Sequence, residues 1–221
     1  LILINPDNPS GNFIEKEEVT QLLEWSSQKK IRIIFDESFI DFAENSYTLI
    51  DEQIVRQYPH LVVVKSISKS YGVPGLRLGI LVTADEELMA KIQKAVSIWN
   101  INSFGEFYLQ IAEKYKTDYL NSLEKIKETR REFSKSLEKI GYLRIIPSQA
   151  NYIMAEIKEN TISASELSKI LLLKYNILIK DLSGKIKTGQ QMIRIAVRNE
   201  ADNNRLVHAL QDIDIKRFRK K

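Results

Sequence analysis

The chain has 221 residues, 43% hydrophobic and 28% charged, which suits one or two globular domains and excludes disordered, collagen-like and coiled-coil-only chains. It contains no cysteine and only two histidines, His60 and His208, so disulfides, thiolate metal sites and cysteine nucleophiles are out, and no metal site is expected. The formal net charge is +4, and much of that excess sits in Lys216–Lys221, KRFRKK, read as a solvated terminus with no nucleic-acid partner expected. No apolar run approaches the roughly 18 residues of a membrane span, and the missing cysteines fit a reducing, cytoplasmic setting.

In chain order, Leu1–Ile4 is an apolar strand with no opening methionine, so the chain is expected to be the later part of a longer protein. Ile31–Phe35, Leu61–Val64 and Gly79–Val82 are further short apolar runs, the pattern of strands covered on both faces. Between them lie amphipathic helices. Glu15–Lys30 carries Val19, Leu22, Leu23 and Ser26 on one face, and Asp85–Val96 carries Leu88, Ile92 and Val96.

From about Phe104 the pattern changes. Tyr119, Leu123, Ile126, Phe133, Leu137 and Ile140, with Arg130 in the one skipped position, predict a long helix with a narrow apolar seam and Gly141 as its C-cap. There follow a strand Tyr152–Ile157, a helix Ser165–Tyr175 opened by Ser163 and Glu166 at capping-box spacing, short strands Ile177–Ile179 and Met192–Val197, and a helix Asn204–Asp212. Strands alternating with helices predict an α/β fold, a three-layer, mainly parallel sheet over 1–104. A connecting helix is expected over 105–141 and a smaller α+β domain over 142–221.

Four features fall at or just after strand ends, where open α/β sheets bind ligands. Asn5-Pro-Asp-Asn-Pro-Ser-Gly11 is a rigid turn, since proline fixes its own φ and keeps the preceding residue out of the helical region. It is either purely structural or a mount for the Asn8 amide. Asp36 directly follows a buried strand, a costly place for a carboxylate unless it caps a helix or meets a cation. Lys69 stands among small hydroxyl residues in Ser66-Ile-Ser-Lys69, with Arg77 eight residues on across a glycine-rich loop. Arg194 interrupts the apolar strand and must reach water, a cleft or an anion.

Together these residues suit one cofactor. Pyridoxal 5′-phosphate needs an amine for a Schiff base, a carboxylate for its pyridine nitrogen, a donor to its phenolate oxygen, and hydroxyl and cationic groups for its phosphate. Lys69, Asp36, Asn8, and Ser66 with Arg77 supply these in turn. On these residues the sequence resembles the fold type I pyridoxal-phosphate enzymes, the aspartate-aminotransferase superfamily, over essentially its whole length. The resemblance implies that Lys69 is catalytic, that Arg194, with Arg198 and Asn151, binds substrate, and that the protein is a homodimer. It also implies an N-terminal part, absent from this chain, that supplies a glycine-rich phosphate turn and a ring-stacking aromatic.

Within the superfamily, Asp36–Phe42 and the Gly72–Gly79 loop resemble the branch of histidinol-phosphate aminotransferases and L-threonine-O-3-phosphate decarboxylases. Phe39 in place of the aminotransferases' usual tyrosine, Trp99-Asn-Ile-Asn102, and an arginine at 198 favour the decarboxylase of cobalamin biosynthesis. Histidinol-phosphate aminotransferase, or another aminotransferase, is the alternative. A non-catalytic relative is a third reading, against which the joint presence of Lys69, Asp36, Asn8 and Arg77 weighs.

Overall fold

The structure is a computed structural model and describes residues 1–158, 161–186 and 189–213. The basic stretch Lys216–Lys221 lies outside the described residues. The chain divides into two compact units, one of residues 1–7 and 13–124, the other of residues 8–12 and 125–221.

The first unit opens with β1 (Ile2–Ile4), α1 (Lys16–Gln28) and β2 (Ile33–Asp36). It continues through α2 (Glu52–Gln57), β3 (Leu61–Lys65) and the one-turn α3 (Ile67–Ser70) to β4 (Ile80–Thr83). Sheet order is β1-β2-β3-β4; the first three strands run parallel and β4 antiparallel to β3. The parallel register aligns Ile4 with Asp36 and Asp36 with Val64, so three C-terminal strand ends are level.

α1 forms where the sequence pattern places it. Glu17 and Glu18 complement the positive end of its dipole, Val19, Leu23 and Ser26 are buried, and Lys30 leaves the helix in the left-handed region at φ 55°. Val19 and Leu23 pack with Ile33, Phe35, Ile40, Leu49, Tyr58, Leu61 and Val63. α4 (Glu86–Ala95), capped by Asp85, and α5 (Ser103–Ile111), capped by Asn102, complete the unit. The expectation of strands covered on both faces fails at the sheet's margins. Ile2 is 69% exposed and Ile80 43%, and Val96, just past the end of α4, is exposed as well. A larger exposed apolar stretch follows, in which Trp99 is 91% and Phe104 79% exposed.

α6 (Lys116–Glu138) carries the expected seam. Leu123, Phe133, Leu137 and Ile140 are buried, and so is Arg130, whose Nη1 donates to the Ala150 carbonyl at 3.1 Å. Gly141 is not a left-handed cap. The helix ends at Glu138, and Ile140 N–H turns back to the Leu137 carbonyl, so no glycine-specific conformation is needed.

The second unit holds β5 (Leu143–Ile146), β6 (Tyr152–Ile157), α7 (Ala164–Tyr175), β7 (Lys180–Asp181), β8 (Gln191–Ala196) and α8 (Glu200–Asp212). Its sheet is antiparallel throughout, in order β5-β6-β8-β7. The Ser163 hydroxyl caps α7 by accepting from Glu166 N–H at 3.2 Å. The short strand expected at Ile177–Ile179 does not form. Asn176 takes the left-handed region at φ 54°, Ile177 N–H closes α7 on the Leu171 carbonyl, and Ile179 is buried in the core. Strand pairing therefore begins at Lys180. Among the described residues no helix is long and apolar enough to cross a membrane.

Leu167 is fully buried in this second core, beside Leu171, Ile193 and Leu210. Leu167→Ala is expected to destabilise the protein by about 2–5 kcal/mol, the range for a truncated core leucine. Urea unfolding of the variant beside the parent protein measures it.

Candidate active site

Asp36 is the last residue of β2, not the first after it. The strand's alternation buries Ile33 and Phe35 and leaves Asp36 half-buried. Its Oδ1 accepts from the Ser38 N–H at 2.9 Å and from the Ser38 hydroxyl at 2.5 Å. Oδ2 accepts nothing among the described residues. The Ser38 hydroxyl in turn accepts from Ser66 N–H at 2.9 Å, tying the end of β2 to the start of α3.

Glu37 faces the other way and is fully buried. Thr48 Oγ1 donates to it at 2.6 Å, Leu49 N–H at 3.0 Å, and Lys65 Nζ stands 3.8 Å away. Lys65 itself donates to Asp41 at 2.7 Å. Burial pushes the Glu37 carboxyl above its ordinary value of 4.5, against the pull of Thr48, Leu49 and Lys65.

Lys69 is exposed on α3, with its ammonium 5.0 Å from the centroid of the Phe39 ring. It has no hydrogen bond or carboxylate partner among the described residues. Ser68, its buried neighbour, donates to the Leu78 carbonyl and accepts from Leu78 N–H, which folds the glycine-containing loop back against α3. Arg77 sits in that loop at φ 57°, left-handed for a residue other than glycine, and among the described residues its guanidinium donates only to the Pro74 carbonyl, at 3.3 Å. Asn102 braces the loop by donating to the Leu76 carbonyl while capping α5. Ser38, Ser66, Ser68, Arg77 and Gly79 border an open concavity of about 420 Å³.

The two asparagines of the Asn-Pro turn have separate fates. Asn5 is fully buried; its amide donates to the Ile14 carbonyl and the Tyr47 hydroxyl, and its oxygen accepts from Ile14 N–H. Asn8 belongs to the second unit, where its Oδ1 accepts from Arg194 Nη1 at 2.5 Å and, among the described residues, none accepts from its amide N–H groups. Gly11, at φ 75°, ends the turn in a conformation that suits glycine, and a Cβ there would overlap the Ser148 side chain. The Arg194 guanidinium also lies 4.9 Å from the Tyr152 ring centroid. Arg198, by contrast, is an exposed cation paired with Asp202 at 2.7 Å. The Asn151 carbonyl accepts from Val197 N–H, and no side-chain contact of Asn151 stands out.

Three participants were not legible as such in the sequence: the bridging Ser38, the buried Glu37, and Tyr71, whose ring stacks on Tyr119 with centroids 4.0 Å apart. The run Asp36-Glu-Ser38 drew attention for its first residue only. The stacked pair spans 48 positions and leaves no local signal.

The donor set fits a cofactor with a phosphate, a basic ring nitrogen and a carbonyl. Among the described residues, an amine without counter-charge, a strand-end carboxylate with one open oxygen, and a guanidinium with only a carbonyl partner all occur in the first unit. Residues 1–210 match the family described as aminotransferase class I and II, and the chain belongs to that family. Family members use pyridoxal phosphate, and the fold is theirs. Among relatives, the L-serine phosphate decarboxylase of Sulfurospirillum multivorans is 34% identical over 96% of this chain and 55% of its own. The threonine-phosphate decarboxylase of Salmonella typhimurium is 28% identical over 96% and 57%. The crystal structure of histidinol-phosphate aminotransferase from Clostridium acetobutylicum superposes with a TM-score of 0.84 at 31% identity, covering 95% of this chain and 62% of that one. The chain spans about a quarter to somewhat over half the length of the curated relatives it matches.

The burial of Glu37 gives a pH prediction with a definite sign. A folded-state value raised above 4.5 means that its contribution to stability is fully present below pH 4.5 and is lost as pH rises through the folded value. The unfolding free energy of the parent protein minus that of Glu37→Gln should therefore fall as pH rises from about 4.5. Urea titrations across that range measure it, and a pH-independent difference contradicts the assignment.

Proposed function

We propose that the protein is a pyridoxal-phosphate-dependent decarboxylase of a small O-phosphorylated amino acid, phosphothreonine or phosphoserine. The observation that carries the reading is that, among the described residues, Lys69 and Arg77 of the first unit and Arg194 of the second have no carboxylate partner, while Asp36 Oδ2 of the first unit accepts no hydrogen bond. Similarity to serine- and threonine-phosphate decarboxylases supports the choice of reaction, as does Phe39, which has no hydroxyl to donate. Histidinol-phosphate aminotransferase is the second reading, favoured by the structural likeness to that enzyme. A homodimer, in keeping with the exposed apolar stretch around Trp99 and Phe104, and a cytoplasmic setting complete the proposal.

When bound, the cofactor would withdraw the electron pair left at the substrate Cα. The roles of the chain's own residues follow from their chemistry. Lys69 Nζ would attach the cofactor as its amine and could carry a proton to or from Cα. Asp36 Oδ2 would face the ring nitrogen and keep it protonated. The Asn8 amide would donate to the phenolate oxygen, and Ser66 and Arg77 would hold the phosphate. Arg194 binds an acidic group of the substrate. If that group is the substrate phosphate, the carboxylate is left to depart as carbon dioxide; if it is the carboxylate, the Cα proton is the group removed. Arg198, already paired with Asp202, is left out of this set.

Lys69→Ala is expected to abolish both turnover and the visible absorbance of the bound cofactor while leaving the fold intact. Turnover in that variant sinks the assignment. Arg194→Ala should lower kcat/KM for anionic substrates by about 30- to 5,000-fold, the factor that roughly 2–5 kcal/mol makes when one partner of a hydrogen-bonded charge pair is removed, with lysine rescuing in part. Supplying phosphothreonine, phosphoserine, and histidinol phosphate with 2-oxoglutarate, and scoring carbon dioxide against glutamate, decides between the two reactions.

A further inference from the structure

We infer that Ser38 is a positioning residue for the Asp36 carboxylate, and that its hydroxyl aims Oδ2 at the cofactor's ring nitrogen. The inference rests on the proposed pairing of Asp36 with that nitrogen. A serine hydroxyl has one proton to give and two lone pairs to receive with. In Ser38 the proton goes to Asp36 Oδ1 at 2.5 Å, and a lone pair receives Ser66 N–H at 2.9 Å. The Ser38 backbone N–H donates to the same Oδ1 at 2.9 Å. Two donors from one residue therefore converge on one carboxylate oxygen, and none of the described residues engages the other.

The geometry has two effects. Two donors on Oδ1 hold the carboxylate against rotation about its Cβ–Cγ bond, so the lone pairs of Oδ2 keep a fixed direction. The bond from Ser66 fixes the start of α3, which carries Lys69, relative to the same hydroxyl. Ser38 is only 5% exposed, so water does not readily replace the missing bonds when the hydroxyl is removed. Alanine at this position would keep the backbone donor to Oδ1 and lose both side-chain links at once.

The test uses protein loaded with pyridoxal phosphate labelled at its ring nitrogen. The nuclear magnetic resonance signal of that nitrogen, at neutral pH, reports its protonation and hydrogen bonding whether or not the enzyme turns over. In the parent protein it should lie at the protonated position, and Asp36→Asn should move it towards the unprotonated one. Ser38→Ala should move it in the same direction by less, and weaken cofactor retention roughly fivefold, the loss expected for one hydrogen bond. Ser38→Thr, which keeps the hydroxyl, should restore the parent signal. Should the alanine variant fail to fold, Ser38→Cys keeps the volume with a much weaker donor and should show the same displacement. A Ser38→Ala or Ser38→Cys variant that folds and leaves the signal at the parent position, where Asp36→Asn moves it, overturns the inference alone. An Asp36→Asn signal at the parent position overturns the pairing and this inference with it.

Discussion

The level ends of three parallel strands are the constraint on which the rest of the first unit depends. Ile4, Asp36 and Val64 pair in register, and the pairing continues one step further: Asn5 N–H donates to the Asp36 carbonyl and Glu37 N–H to the Val64 carbonyl, each at 2.9 Å. Consecutive side chains at such an end must point to opposite faces. Asp36 is therefore offered outwards and Glu37 inwards, although the two are chemically almost identical. The inward carboxylate meets Thr48, Leu49 and Lys65, which compensate its burial only in part. The outward one keeps an open oxygen. A slip of one residue in the β2 register would exchange the two roles.

The Asn-Pro turn shows the same divergence between like residues. Asn5 makes three hydrogen bonds inside the first unit, and a buried amide left without them would cost about 1–3 kcal/mol for each unsatisfied group. That accounts for its place as an anchor rather than a ligand. Asn8, three residues on, belongs to the second unit and, among the described residues, spends only its oxygen, on Arg194. The guanidinium takes the acceptor end of the amide and leaves the donor end unengaged by those residues.

Much of this was legible in the sequence because it obeys local rules. The periodicity of α1, the seam of α6, the capping of α7 by Ser163 and the continuous apolar run of β6 each follow from spacing alone. Failures occurred where tertiary contacts decide. Ile177–Ile179 reads as a strand by composition, yet closing α7 consumes the first residue and the core consumes the last. Gly141 reads as a helix stop, but the backbone had already turned at Glu138. Apolar runs at Ile80–Val82 and around Val96 do not show whether anything covers them, because composition records burial preference and not the neighbour. In the site, single residues following strands were visible from the sequence. Links such as Ser38 to Ser66, 28 positions apart, were not.

The treatment of cations separates those that hold the fold from those that can meet a ligand. Lys65, Lys174, Arg32, Arg144 and Arg198 each contact a carboxylate, Lys65 in a largely buried pair and the others on the surface, where water and salt screen the attraction. Their charge is neutralised within the chain. Lys69, Arg77 and Arg194 are held instead by an aromatic ring, a backbone carbonyl, and an amide oxygen with a second ring. Such neutral partners orient a cation without cancelling it. Among the described residues no carboxylate cancels their charge, which distinguishes Arg194 from Arg198 although only four residues separate them. It also explains why the two arginines, similar by sequence, part company in the structure: Arg194 projects from within β8, where strand pairing fixes its direction, and Arg198 lies beyond the strand, within reach of the first turn of α8.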